Sequence, residues 1–118
     1  MNIDNLYHYC RRLKGVSEGT PFGSDVLVFK VMGKIFALVN LVSMPPRINL
    51  KCDPERAEEL RATRASVMPG YHMNKKHWNT VVVDGELPDS DLREMIDHSY
   101  ALVSAGLKKK EREALALL

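Results

Sequence analysis

Residues 26–32 (VLVFKVM) and 35–42 (IFALVNLV) are two β-branched and aromatic runs with only Gly33-Lys34 between them. No other feature limits the fold as strongly. Two such runs joined by two residues close as a tight hairpin, so any sheet containing them is antiparallel at this point. A third strand is predicted after Pro45 and Pro46, where Arg47, Asn49 and Lys51 alternate with Ile48, Leu50 and Cys52. Period-two alternation buries one set and leaves a basic outer face.

Helices are predicted on both sides of this block. Ile3, Leu6, Cys10 and Leu13 recur at helical steps behind Asn2 and Asp4, which predicts an amphipathic helix over residues 3–14 ended by Gly15. Asp53 as cap and Pro54 in the first turn start a second helix running to Arg64, with Ala57 and Leu60 inward. Leu92, Ile96, Ser99 and Val103 mark a third over residues 89–105, stopped by Gly106. Residues 17–23 (SEGTPFG) read as a connecting loop. Residues 77–83 (HWNTVVV) read as a strand, with a short one possible before Pro69-Gly70. The tail KKKEREALALL adds a helical turn or two only if it docks. The expectation is one α+β domain over residues 1–118, a two-layer sandwich in the order α-β-β-β-α-β(β)-α. Helices cover one face of its antiparallel sheet and the other is left for a partner.

Charge is segregated along the chain. Residues 26–83 carry nine Lys and Arg against four Asp and Glu, whereas residues 84–107 carry six acids against Arg93 alone. The molecule is therefore expected to be polarised, with one face suited to an anion. Cys10 and Cys52 lack any paired spacing and read as reduced, buried thiols. The first residues lack the order of a signal peptide, and no run approaches the ~20 apolar residues of a membrane span. A cytoplasmic location is the expectation.

Residues 69–80, PGYHMNKKHWNT, hold Tyr71, His72, Asn74, Lys75, Lys76, His77 and Trp78 without one carboxylate. Cations, amides and aromatic faces in one segment suit a phosphodiester: Lys pairs with phosphate, and Tyr or Trp stacks on a base. The competing reading makes Tyr71 and Trp78 core residues and the lysines a solvated loop tip. A metal site finds no support, because His72 and His77 lack the i, i+4 spacing and no Cys or His pair exists. No nucleophile with a positioned base can be named, and no Gly-rich phosphate loop is present. Neither a cofactor nor an enzymatic activity is expected.

The string PGYHMNKKHWNTV, with VFKVMGKIFAL, NLKCDPERAEELR and LREMIDHSY around it, resembles the MmcQ/YjbR family over nearly the whole chain. That resemblance implies a predicted DNA-binding protein with a double-wing arrangement on a fold similar to secretion chaperones. It places Lys75, Lys76, His77 and Trp78 in the family's signature loop and matches Pro21, Phe22 and Gly23 to its PFG segment. The functional expectation is a non-enzymatic DNA-binding module, monomer or weak homodimer. Arg47, Lys51, Lys75 and Lys76 would meet phosphates, and Tyr71, His72, Asn74, His77 and Trp78 would supply stacking and hydrogen bonds. The alternative is a protein- or peptide-binding module, since Val26, Val28 and Met32 alternate with Leu27, Phe29 and Val31 and a helix layer covers only one set. Either a second subunit or the tail would cover the rest.

Overall fold

The hairpin required by residues 26–42 lies inside one sheet, as its second and third strands. In the computed structural model, which describes residues 1–118, the element order is α1 (Ile3–Arg11), β1 (Val16–Gly19), β2 (Val26–Val31), β3 (Lys34–Asn40), β4 (Arg47–Lys51), α2 (Pro54–Thr63), β5 (Val67–Pro69), β6 (Trp78–Val82), α3 (Asp89–Ala105) and α4 (Lys109–Ala116). The six strands lie in the order β1-β2-β3-β4-β6-β5, antiparallel throughout. This is the α+β class with helices packed on one face of an antiparallel sheet.

Register decides which residues share that face. Leu27, Val39, Ile48, Val81 and Val67 form one cross-strand row, and Phe29, Ala37, Leu50 and Asn79 form the next. These rows meet Leu6 and Cys10 of α1 and Leu92, Met95, Ile96 and Val103 of α3 in one buried cluster. Close packing of apolar side chains here is the main stabilising term, at roughly 25 cal/mol per Å² removed from water. Asn2 and Asn5 cap α1 reciprocally, while Asp53 caps α2 ahead of Pro54.

Two elements differ from the sequence reading, and the conditional helix of the tail is realised. Ser17–Gly19, expected within the loop, form with Val16 an edge strand paired with β2. Ser17, Glu18 and Gly19 are poor strand formers, so the pairing is held from outside: Glu18 accepts a hydrogen bond from Tyr7 Oη at 3.0 Å and an ion pair from Arg11 Nε at 2.6 Å, both on α1. The hairpin turn is Met32-Gly33, one residue earlier than predicted, because Val31 pairs with Lys34. Both turn residues have positive φ, 47° and 85°, the geometry that matches strand twist in a two-residue loop. The tail forms α4, whose Leu115 packs against the core beside Gly15. It docks near Gly15 and Met32 and does not spread across the open side of the sheet. No helix is long and apolar enough to cross a membrane.

Candidate functional site

The opposite face of the sheet carries no helix. Its cross-strand rows are Gly19, Val28, Leu38, Asn49, Thr80 and Met68, flanked by Val26, Asn40, Arg47 and Val82 on one side and by Lys51 with Trp78 on the other. Lys30 also lies on this face, paired with Ser17 and Ile35. No Asp or Glu stands at any of these positions. The alternation of Arg47, Asn49 and Lys51 with a buried set is therefore realised as predicted from residues 47–52.

The helical side has the complementary charge, and there the bases of residues 26–83 divide. Arg56 pairs with Glu94 at 2.7 Å and Arg64 with Asp91 at 2.6 Å, joining α2 to α3. Arg61 donates from Nη1 to Asn79 Oδ1 at 2.9 Å and to Lys75 O at 2.8 Å. These three guanidinium groups are taken up in contacts within the protein. Lys30, Arg47, Lys51 and Lys76 make no ion pair.

Residues 70–77 connect β5 to β6 and fold over β4 and β6. Tyr71 N donates to Thr80 Oγ1 at 3.0 Å, Thr80 Oγ1 donates to Asn49 Oδ1 at 2.6 Å, and Asn49 Nδ2 donates to Tyr71 O at 3.2 Å. This closed ring explains why Thr80 is only 2% exposed on a face without helices. Asn74 holds the tip: its Oδ1 accepts from Lys76 N, and its carbonyl accepts from His77 N and Trp78 N. Lys75 Nζ donates to Gly70 O at 3.2 Å, and His77 O accepts from Cys52 N at 2.8 Å.

Sequence reasoning gave all of these residues one task, binding; the structure divides their tasks. Asn74 and Lys75 are engaged in shaping the connection, and His77 is half-buried with its main chain joined to β4. Tyr71 is 65% exposed, with the His72 ring at 4.0 Å between centroids, and Lys76 is exposed in the same connection. His72 has φ of 57°, a left-handed conformation in the turn. Trp78 is half-buried on the open face next to Lys51. Tyr71, His72, Lys76, Trp78, Arg47 and Lys51 are thus on or beside one surface. Lys30 belongs to it and was missed, since a lone lysine in an apolar run carries no mark of which face it occupies.

The remaining chemistry-bearing groups lie elsewhere. Burial, reinforced by the charge of Asp97, pushes the Cys10 thiol up to about 12, and burial also raises Cys52. Neither is an activated nucleophile. No three His, Cys, Asp or Glu side chains are grouped to hold a metal ion.

His98, on the helical side, accepts a hydrogen bond at Nε2 from Asp53 N at 3.2 Å. Burial first and the charge of Arg56 second lower its pKa from 6.5, against the opposing pull of Asp53 and Glu94. A protonated Nε2 has no lone pair for the Asp53 amide. The stability associated with neutral His98 is present above 6.5 and is lost as pH falls through that value towards the lower folded one. The expected result is a thermal midpoint that drops between about pH 7 and pH 5, and a flatter profile for His98→Gln, which keeps an acceptor without a titrating group.

An open-faced antiparallel sheet layered on helices, with this loop clasping its uncovered side, defines the class of structure. The chain belongs to the YjbR family, whose model matches residues 11–102. It is 36% identical to the Escherichia coli K-12 protein YjbR over 118 residues, 100% of both chains, and 43% identical to YbdF of Escherichia coli O157:H7 over 93 residues, 79% of this chain and 76% of that one. The crystal structure of the Deinococcus radiodurans protein DR2400, a DUF419 domain, superposes with a TM-score of 0.89 at 45% identity, covering 98% of this chain and 88% of that one. A Pseudomonas syringae crystal structure gives 0.75 at 28% identity, covering 86% and 98%.

Proposed function

We propose that this protein is a non-enzymatic DNA-binding module of the cytoplasm and that it binds through the open face of its sheet. The observation that carries the reading is the separation of charge. Lys30, Arg47 and Lys51 share a face without one carboxylate, while Asp91 and Glu94 are paired on the helical side. Phosphate contacts from such a face position the protein and give affinity independent of sequence. Tyr71 and Trp78 add ring faces, and the well-fastened connection 70–77 presents them with little ordering cost.

Arg47→Glu combined with Lys51→Glu is expected to weaken oligonucleotide binding about tenfold or more at low salt. It should also flatten the plot of log affinity against log salt by roughly 0.7 to 0.9 for each phosphate that is no longer neutralised. Arg93→Gln, on α3, should change neither. Equal salt slopes for wild type and the double variant would remove Arg47 and Lys51 from the interface.

One observation favours a second reading, a protein-binding surface. Phe22, Val42 and Met44 are 65%, 63% and 88% exposed on the β1–β2 and β3–β4 connections, at one end of the sheet. Exposed apolar side chains at one end of a sheet suit a protein partner or a second copy. No response to any oligonucleotide, together with a mass that rises with concentration in light scattering, would select it.

A further inference from the structure

We infer that the ligand of the open face is single-stranded nucleic acid, with one base lodged in the hollow beside Gly19; this rests on the nucleic-acid reading above. Reading a duplex from its major groove requires an element narrow enough to enter, a helix or a two-stranded ribbon. Here α1, α2 and α3 pack on the far side of the sheet. The β2–β3 hairpin ends in the two-residue turn Met32-Gly33, with Met32 half-buried against the core, and the β5–β6 connection is tied to Asn49 and Thr80. Neither hairpin projects as a wing. A six-stranded face without a projecting wing does not enter the major groove, and it offers unstacked bases a platform.

The hollow gives that platform a second anchoring point. It measures about 390 Å³ and is lined by residues 17–21, Val28 and Lys30, the Glu18 carboxylate among them being held by Tyr7 and Arg11 of α1. Its floor is Val28, opposite Gly19 in the β1–β2 register. A Cβ added at Gly19 would meet nothing within 4 Å, and the backbone there is not left-handed. The conformation therefore does not require glycine, and the missing side chain serves to keep the hollow open. Pro21, exposed at the rim, provides an apolar surface for a base, Lys30 a cation for its phosphate, and β1, an edge strand, leaves backbone groups without a strand partner.

Tyr71 lies at the other end of the same row, over Asn49 and Thr80. Four strand steps separate Gly19 from Thr80, about 19 Å at the usual spacing. A strand laid across the sheet meets the hollow, then Arg47 and Lys51 on either side of the row, then the tyrosine ring. Single-strand binding by stacking and phosphate pairing tolerates any sequence.

The test is a titration followed by Trp78, the single tryptophan, with an oligothymidylate of about 12 nucleotides and a duplex of equal length. The single strand is expected to bind about tenfold tighter or better. Gly19→Glu, which fills the hollow with a carboxylate, should cut single-strand affinity about tenfold with the thermal midpoint unchanged, and Lys30→Gln should weaken it less. Duplex affinity equal to or above that of the single strand would overturn the inference, as would full binding by Gly19→Glu. If Arg47→Glu/Lys51→Glu still abolished binding in that case, the open-face reading would stand without the single-strand inference. Silence towards both probes would remove both proposals.

Discussion

Ser99→Ala is expected to destabilise the fold by about 2–4 kcal/mol, far more than the loss of one surface hydroxyl. Ser99 is 0% exposed. Its Oγ donates to Phe36 O at 2.6 Å and accepts from Lys51 N at 2.8 Å. Both partners exist because the sheet is irregular there. Phe29 pairs with Ala37 but Lys30 pairs with Ile35, so Phe36 is the extra residue of a β-bulge and its carbonyl takes the Ser99 hydroxyl as a donor. Lys51 N lies at the end of β4. One hydroxyl on α3 therefore satisfies a stray acceptor on β3 and a stray donor on β4, and alanine would leave each buried at about 1–3 kcal/mol. Ser43 is the comparison, since its buried Oγ has no partner. Ser43→Ala should fall within about 0.5 kcal/mol of wild type. Urea denaturation with an unchanged slope would measure both. A Ser99→Ala cost below about 1 kcal/mol would mean that water replaces the hydroxyl.

The elements that could be read from sequence are those whose signals are local. Asp53 and Pro54 open α2 because a cap and a fixed φ act within one turn, and α3 runs over the predicted 89–105 because its apolar period is long and uninterrupted. β1 could not be read. Ser17, Glu18 and Gly19 are turn formers, and they become a strand only because β2 offers an edge and α1 offers Tyr7 and Arg11 to Glu18. Tertiary contact overrides propensity at such positions. The turn shifted by one residue for a similar reason: Met32 accepts a left-handed conformation while its side chain packs beside Gly15.

The candidate site was half legible. Alternation alone assigned Arg47, Asn49 and Lys51 to an outer face, since period two leaves no choice once Ile48 and Leu50 are buried. Composition could not separate the lysines of the β5–β6 connection. Lys75 donates to the Gly70 carbonyl and Lys76 does not, a difference set by the path of the turn and invisible in two identical letters. The three arginines of α2 and its C-terminal end swell the sequence count of bases, yet their partners on α3, on Asn79 and on Lys75 O keep them away from the open face. The charge excess pointed to the right region of the chain for a basic face and overstated how many cations are free.

Gly70→Ala tests the loop that joins fold to site, and it is expected to cost about 2–3 kcal/mol. A Cβ at Gly70 would lie 2.8 Å from Trp78 O and 2.9 Å from Trp78 Cβ, closer than real side chains approach. The obstacle is not conformational, because Gly70 has no positive φ; it is the approach of two backbones, with Gly70 N donating to Trp78 O at 2.9 Å. A flexible side chain could swing away, whereas a paired strand cannot without opening β5–β6. That opening would also move the Gly70 carbonyl that accepts from Lys75 Nζ and from Met73 N, so the connection should loosen from its base. Gly19→Ala is the control, with open space around the added methyl, and should be neutral or stabilising by up to about 1 kcal/mol. If Gly70→Ala lowers stability as expected and shifts Trp78 emission, the 70–77 connection is held by this contact. If stability is unchanged, β5 yields at its edge and the fastening must come from the Asn49, Thr80 and Tyr71 ring alone.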